Sequence, residues 1–352
     1  MTNTINYNNV HNLFKINGFH FKRNDLCSLA YILIKEGEPY EKAMGDFLLD
    51  WFDAKSYLEL TTSGTTGTPK TIRIEKEAMI NSALASGDFF DLKPGDTALH
   101  CLPTNFIAGK MMLVRGFIIG LDIDFVSPSS RPLFNKDRSY DFAAMVPLQA
   151  QNSIAELFKV KKLIVGGAKM NHELESQLAN LKTEVYETYG MTETITHIAA
   201  KRVGEEAFSL LPNIKISIDD RNCLVIDALN ISNESIITND LVSLIDEDHF
   251  VFIGRIDNLI NSGGIKLIPE KIEDKLSKKI NSRFFVAGMK DEDLGEKLVL
   301  IIEGEERNLE DTIFKKLDKY ERPKEIFYVK KFAETENGKV KRKEILESLQ
   351  VV

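Results

Sequence analysis

A run of hydroxyl residues and glycines that ends in a lysine is the segment best equipped for chemistry. It reads Thr-Thr-Ser-Gly-Thr-Thr-Gly-Thr-Pro-Lys from Thr61 to Lys70. Glycines let the backbone turn its N–H groups towards an anion, and the hydroxyls and the ammonium group add donors. No Gly-Lys-Ser/Thr follows the second glycine, so the run is not a Walker A motif. It predicts a phosphate-binding loop, with a flexible surface linker as the alternative. The residues predicted to contact phosphate are Thr62, Ser63, Gly64, Thr65, Thr66, Gly67 and Lys70.

A second segment, Tyr189-Gly190-Met191-Thr192-Glu193, combines an aromatic ring with a hydroxyl and a carboxylate. A tyrosine ring suits the face of a purine, and a hard carboxylate oxygen suits Mg²⁺. The alternative is the start of a helix, with Thr192 as its cap and Glu193 in its first turn. Near the other end of the chain, Gly338-Lys339-Val340-Lys341-Arg342 is, by itself, a basic tail.

Two different patterns of secondary structure must position these segments. Before residue 213, short apolar runs alternate with amphipathic stretches, which predicts a parallel sheet flanked by helices. From Ile214 to Ile253 the β-type runs are closely spaced, which predicts a smaller antiparallel unit attached to the α/β part. The last hundred residues predict a small α+β domain with helices over Pro269–Ile280 and Leu309–Lys319.

The distribution of charge places the boundary between the two domains. The chain has 352 residues and a net charge of −8, but residues 255–352 are almost neutral and the residues before them carry the negative excess. We therefore predict an N-terminal domain over residues 1–254 and a C-terminal domain over residues 255–352.

Composition excludes several classes of protein. The acidic balance argues against a nucleic-acid binder. Three widely separated cysteines form no Cys-x-x-Cys pair, so neither a disulfide framework nor a cysteine zinc site is indicated. The N-terminal residues are polar and no apolar run reaches 18 residues, so we expect neither a signal peptide nor membrane insertion. A cytoplasmic location is the expectation, and the oligomeric state cannot be read from the sequence.

Taken in order along the chain, the segments resemble the signatures of the adenylate-forming superfamily, which includes acyl- and aryl-CoA synthetases, luciferase and peptide-synthetase adenylation domains. The resemblance covers about residues 58–349. It implies a large N-terminal α/β domain and a small mobile C-terminal domain, with ATP, Mg²⁺, CoA and a small carboxylic acid as ligands. Only 60 residues precede the glycine-rich run, so the resemblance also implies a shortened N-terminal domain.

The resemblance implies roles for the residues around the nucleotide. Gly166, Gly167 and Ala168 would lie beside the adenine and acyl sites. Tyr189, followed by Gly190, would stack on adenine, Thr192 would bond the AMP phosphate, and Glu193 would hold Mg²⁺ through the ATP phosphates. Asp240 would accept hydrogen bonds from both ribose hydroxyls, as a carboxylate with two oxygens can. Asn239 stands where the family has glycine, and an Asn-Asp turn is the alternative for this segment.

The resemblance also implies roles for residues of the C-terminal domain. Arg255 would contact the ribose or a phosphate, and Asp257 would be the hinge about which the domain rotates. Gly263 and Gly264 would line the pantetheine tunnel of CoA. Lys339 would bridge the attacking carboxylate and the α-phosphate, where a mobile cation stabilises developing charge.

The acid that is activated is predicted from Leu102–Arg115. Phe106 stands where the family often has histidine, and Lys110 and Arg115 lie within an otherwise apolar helix. Two cations suit an aromatic acid with a second carboxylate, and the pattern resembles the o-succinylbenzoate–CoA ligases of menaquinone synthesis. One or both cations could instead reach solvent or pair with Asp88 or Asp91. A ligase for another acid, a carrier-protein-loading enzyme and a non-catalytic nucleotide sensor are the other interpretations.

Overall fold

The computed structural model describes residues 6–61, 71–232, 234–334 and 340–350. Two predicted parts of the site lie outside the described residues. They are the phosphate-loop residues Thr62, Ser63, Gly64, Thr65, Thr66, Gly67 and Lys70, and the catalytic Lys339. None of the helices in the described ranges is long and apolar enough to cross a bilayer.

The described part of the chain forms a series of β-strands and α-helices. Those up to residue 190 are β1 (Lys15–Ile16), β2 (Phe19–His20), α1 (Arg23–Glu36), α2 (Pro39–Phe52), β3 (Tyr57–Thr61), β4 (Thr71–Glu75), α3 (Lys76–Phe89), β5 (Thr97–His100), α4 (Ile107–Arg115), β6 (Asp122–Phe125), β7 (Tyr140–Met145), α5 (Pro147–Asn152), β8 (Val160–Val165), α6 (His172–Ala179) and β9 (Glu184–Gly190). Those that follow are β10 (His197–Arg202), β11 (Phe208–Leu210), β12 (Lys215–Ile218), β13 (Cys223–Asp227), β14 (Ile236–Leu244), β15 (His249–Arg255), β16 (Ile260–Ser262), β17 (Ile265–Leu267), α7 (Pro269–Ser277), β18 (Phe284–Asp291), β19 (Gly295–Glu303), β20 (Glu325–Val329) and α8 (Arg342–Gln350).

One large sheet organises the first 255 residues. Its thirteen strands lie in the order β12-β13-β14-β15-β11-β10-β9-β8-β7-β5-β6-β1-β2. Neighbouring strands from β9 to β1 are parallel, as the alternation of apolar runs and helical stretches predicts. Apolar side chains of α2, α3 and α4 form the largest core cluster, together with side chains of the central strands. The predicted α/β fold is therefore confirmed.

The antiparallel strands differ in one respect from the prediction of a smaller attached unit. From β9 to β12 every pairing is antiparallel, but these strands continue the same sheet. Asn239 and Asp240 lie within one strand, β14, where Asp240 pairs directly with Arg255 of β15, so the alternative of an Asn-Asp turn is wrong. An irregularity between Leu241 and Val242 lets the strand bend without ending.

A separate five-stranded sheet follows β15. Its strands β17-β16-β19-β18 are neighbours, and β20 joins β19 in parallel. The helix predicted over Leu309–Lys319 is wrong, because the chain forms only a short 3₁₀ helix at Asp311–Phe314. Leu309, Ile313, Phe314 and Leu317 still pack in the apolar core of this sheet. The domain limits stay a prediction, although the large sheet does end at Arg255.

Candidate active site

The carboxyl ends of the central parallel strands bring two of the predicted segments together. Gly166 directly follows β8 and Gly190 ends the neighbouring β9, at the edge where open parallel sheets bind ligands. Neither position has room for a side chain. A Cβ at Gly166 would lie 2.4 Å from Thr188 Oγ1, and one at Gly190 would lie 2.2 Å from the carbonyl oxygen of Thr196. Gly167 and Ala168 follow on the exposed side of this edge, in the turn after β8.

Tyr189, Asp240 and Arg255 converge from three different strands. The Tyr189 hydroxyl donates a hydrogen bond of 2.6 Å to Asp240 Oδ2, and Arg255 Nε lies 3.4 Å from Asp240 Oδ1. Burial and the neighbouring Asp240 raise the pKa of Tyr189, so the hydroxyl keeps its proton and acts as a donor. The Tyr189 ring packs against the rings of Phe208, Phe250 and Phe252. Together, Tyr189, Asp240 and Arg255 form an aromatic and charged cluster whose chemistry suits a nucleoside.

Asn239, which the sequence presents as a departure from the family pattern, has a defined contact. Its Nδ2 atom donates to both carboxylate oxygens of Asp257 at 3.1 Å, and Arg255 Nη2 lies 3.2 Å from Asp257 Oδ2. Arg221 in turn donates to Asn239 Oδ1 at 3.0 Å. Asp257, the residue predicted to be the hinge, is thus joined to the strand that carries Asp240 by the amide of Asn239, for which a turn was the alternative prediction.

Thr192 and Glu193 lie in a tight turn between β9 and β10, so the alternative of a capped helix start is wrong. Thr194 Oγ1 holds this turn: it accepts a hydrogen bond from the Met191 N–H at 2.9 Å, and its single proton is shared between the carbonyl oxygens of Met191 at 2.9 Å and Thr196 at 2.7 Å. The Glu193 side chain is exposed beside the end of β9. An accessible carboxylate at this edge fits Mg²⁺, which would neutralise charge on the ATP phosphates when bound.

Gly263 and Gly264 form the two-residue turn of the β16–β17 hairpin. Both have positive φ angles, 58° and 84°, which the favoured two-residue hairpin turns require at these positions. The Gly263 N–H also donates to the Leu294 carbonyl at 2.9 Å. The turn by itself accounts for both glycines, and their contact with CoA stays a prediction.

The structure places Lys110 against α2, a helix that the sequence analysis did not identify. Its Nζ donates to the Thr104 carbonyl at 2.9 Å and lies 5.1 Å from the centroid of the Phe47 ring. Burial lowers the pKa of Lys110, and the nearby Asp50 opposes this shift. Phe106, the predicted substitute for the family's histidine, is half-buried at the N-cap of α4. These contacts give Lys110 a structural role that needs no ligand.

Arg115, five residues further along α4, has a different environment. Only 1% of its surface is exposed, and its Nε and Nη2 atoms have no hydrogen-bond acceptor among the described residues. Burial lowers the pKa of the guanidinium to about 10, so the group stays charged at neutral pH. A buried cation without a partner is costly to fold. The position therefore suits an anionic ligand.

Asp240→Ala is expected to raise KM for ATP by about 10-fold or more, because a hydrogen bond to a charged group contributes about 1.5–3 kcal/mol. KM for the acid should change little. Initial rates with each substrate varied in turn provide the measurement. Tyr189→Phe is the control, because it removes the protein's own hydrogen bond to Asp240 and leaves the carboxylate in place. A larger effect of Tyr189→Phe than of Asp240→Ala on KM for ATP would contradict the ribose role.

Comparisons with known proteins identify relatives of this chain in sequence and in structure. The model of the AMP-binding enzyme family matches residues 55–230, half of the chain. A 2-succinylbenzoate–CoA ligase from Staphylococcus epidermidis is 25% identical over an alignment 323 residues long, and the alignment covers 81% of this chain and 68% of the relative. An acyl-CoA synthetase (AMP-forming)/AMP-acid ligase II-like protein from Dyadobacter fermentans is 34% identical, with a TM-score of 0.61 over 92% of this chain and 98% of the other.

The o-succinylbenzoate CoA synthetase MenE of Bacillus subtilis has the same fold. Its complex with the acyl-adenylate intermediate OSB-AMP aligns with a TM-score of 0.70 at 19% identity, over 82% of this chain and 68% of MenE. Its complex with ATP and a magnesium ion also aligns with a TM-score of 0.70, at 20% identity, over 81% and 69% of the two chains. The family model, which matches half of the chain, and the adenylate-forming fold lead to one conclusion: the chain belongs to the AMP-binding enzyme family.

Proposed function

We propose that the protein is an AMP-forming acid–CoA ligase that activates o-succinylbenzoate. In the first half-reaction a carboxylate oxygen of the acid attacks the α-phosphorus of ATP, the acyl-adenylate forms and pyrophosphate leaves. In the second, the CoA thiolate attacks the acyl carbon, the thioester forms and AMP leaves. Tyr189, Asp240 and Arg255 would bind the nucleoside, and Glu193 would serve the Mg²⁺ that accompanies ATP. The curated relative named 2-succinylbenzoate–CoA ligase supports the choice of acid.

Arg115 is the observation that carries this choice, because its Nε and Nη2 atoms have no acceptor in the part of the chain that the structure describes. An acid with a single carboxylate uses that group in the reaction and leaves Arg115 without a counter-ion. o-Succinylbenzoate has a second carboxylate, which Arg115 can bind through charge-assisted hydrogen bonds. Met111, Met112 and Val114 of the same helix are fully buried, and we propose that they contribute to an apolar wall for the aromatic ring. A ligase for an ordinary fatty acid has no use for an unpaired cation in this position.

An acid panel tests the proposal. The enzyme is incubated with ATP, Mg²⁺ and CoA and, in turn, o-succinylbenzoate, benzoate, a medium-chain fatty acid and malonate, and the thioesters are identified by mass spectrometry. We expect the o-succinylbenzoyl thioester to form at the highest rate. Pyrophosphate release without any thioester would favour a carrier protein as the acceptor, and absence of both products with every acid would favour a nucleotide sensor.

Arg115→Ala is expected to raise KM for o-succinylbenzoate roughly 10-fold or more, since a charge-assisted hydrogen bond contributes about 1.5–3 kcal/mol. KM for ATP should hardly change, and the preference over benzoate should be lost. Arg115→Met, which fills more of the vacated volume, separates loss of charge from cavity formation. If either variant keeps the wild-type preference, Arg115 does not bind the second carboxylate.

A further inference from the structure

The turn that carries Thr192 and Glu193 ends in a rare backbone conformation. Ile195 has a φ angle of 67°, in the left-handed region that β-branched residues almost never adopt. The Thr196 N–H donates to the Thr194 carbonyl at 2.7 Å, so the chain turns back within three residues centred on Ile195. A hydrogen bond of this span around a residue with positive φ defines a γ-turn of the rarer, strained kind. Ile195 therefore occupies a position for which glycine is the default residue.

Two β-turns connect this strained residue to the predicted nucleotide site. The Thr194 N–H donates to the Met191 carbonyl at 3.2 Å, and the Ile195 N–H donates to the Thr192 carbonyl at 2.9 Å. Each of these bonds closes a turn of four residues, and Glu193 is a central residue of both turns. The directions in which Thr192 and Glu193 project thus depend on a backbone that is fixed at Ile195.

The side chain of Ile195 opposes relaxation of this backbone. It is 2% exposed and belongs to the largest apolar core cluster, which also contains side chains of α2, α3 and α4. Glu193, two residues earlier, is exposed. A return of φ at Ile195 to an ordinary value would withdraw the side chain from the core, so the burial of apolar surface offsets the strain.

We propose that Ile195 is a positioning residue, whose buried side chain keeps the strained turn closed and so directs the Thr192 hydroxyl and the Glu193 carboxylate towards the phosphates and the Mg²⁺ of ATP. Glycine would adopt the same φ without strain, but it would leave the turn free to open because it has no side chain in the core. Strained backbone persists where the surrounding structure over-determines it, and such positions cluster at functional sites. The inference rests on the proposed function, and in particular on the roles of Thr192 and Glu193.

Truncation of this side chain tests the role. Without acid, calorimetry should show that Ile195→Ala raises the Kd for ATP in the presence of Mg²⁺ about 10-fold, since small displacements of positioned groups are costly. The Mg²⁺ concentration for half-maximal ATP–pyrophosphate exchange should rise by a similar factor, and KM for the acid should hardly change. Ile80→Ala is the matched control, because Ile80 lies on α3 in the same core cluster and is equally buried, at 2% exposure. It should lower Tm and leave both Mg²⁺ measurements unchanged, whereas a purely structural role of Ile195 predicts that the two variants behave alike.

Ile195→Gly tests the strain without reference to activity. The glycine and alanine variants both lack the buried side chain, but only glycine adopts a φ of 67° at no cost. We therefore expect Ile195→Gly to unfold at a higher Tm than Ile195→Ala, which is the reverse of their order at an ordinary helix or strand position. The glycine variant should also need more Mg²⁺ than wild type, and it provides this measurement if Ile195→Ala does not fold.

The inference and the proposed function fail in different ways. Wild-type Mg²⁺ dependence in a folded Ile195→Ala or Ile195→Gly variant would overturn the inference. An equal shift in Ile80→Ala, or a lower Tm for the glycine variant than for the alanine variant, would overturn it as well. A wild-type enzyme without ATP–pyrophosphate exchange for any acid of the panel would instead refute the proposed function, and the order of the two Tm values would still report on the strained turn.

Discussion

Replacement of Lys339 by alanine is expected to slow adenylate formation about 10²–10³-fold, while conversion of supplied acyl-adenylate and CoA to thioester stays nearly unchanged. The reason is that negative charge on the acid and the α-phosphate must be brought together only in the first half-reaction, and a cation between them stabilises that transition state. ATP–pyrophosphate exchange measures the first step, and thioester formation from synthetic adenylate measures the second.

Lys341 provides a matched control for this substitution. It lies two residues further along the same basic segment, and its Nζ pairs with Glu344 at 3.1 Å on the surface. Lys341→Ala should therefore leave both half-reactions close to wild type, because it removes a charge of the same sign from a site without a reacting group. Equal losses of both half-reactions in Lys339→Ala would contradict the assignment of Lys339 to adenylation.

Asp257→Pro is expected to stop thioester formation while ATP–pyrophosphate exchange continues. Asp257 lies in the 3₁₀ turn Ile256–Asn258, directly after the last strand of the large sheet. Proline fixes φ and cannot absorb the change in backbone angle that a hinge rotation needs. If the C-terminal domain rotates about this residue between the half-reactions, the variant should accumulate enzyme-bound acyl-adenylate, which rapid quenching and mass spectrometry would detect.

Asp257→Ala separates the backbone effect from the side-chain effect. Both substitutions remove the carboxylate that accepts hydrogen bonds from Asn239 and Arg255, but alanine leaves φ free. Thioester formation should therefore survive in Asp257→Ala with a modest loss and fail in Asp257→Pro. If alanine blocks the second half-reaction as completely as proline, the hydrogen bonds matter and the hinge lies elsewhere.

Asn239 and α2 illustrate what a comparison of short motifs misses. Asn239 interrupts a familiar motif, and from sequence it looks like a turn residue. In the folded chain it lies within β14 and its amide holds Asp257, because a residue 18 positions away reaches it across the sheet. Similarly, α2 has no motif of its own, yet Phe47 and Asp50 provide the environment of Lys110.

By itself, the sequence determined the α/β fold, the superfamily and the kind of chemistry. These follow from requirements that are local in the chain: glycines where backbones meet closely, alternation of strands and helices, and charged residues at set distances from them. The antiparallel strands were also recognisable, but their place in the large sheet depended on pairing between β9, β10, β11 and β15, which no local pattern specifies.

Only the tertiary structure distinguishes the two cations of α4 as candidates for binding the second carboxylate of the acid. Lys110 and Arg115 look equivalent in sequence, since both interrupt one apolar helix. Lys110 reaches a carbonyl oxygen and lies near an acid of α2, whereas Arg115 is almost fully buried and its Nε and Nη2 atoms have no acceptor among the described residues. Whether a buried charge finds a counter-ion depends on residues that are distant in the chain and meet only when the helices pack on the sheet. That is why only the folded structure singles out Arg115 as the cation proposed to bind the second carboxylate of the acid.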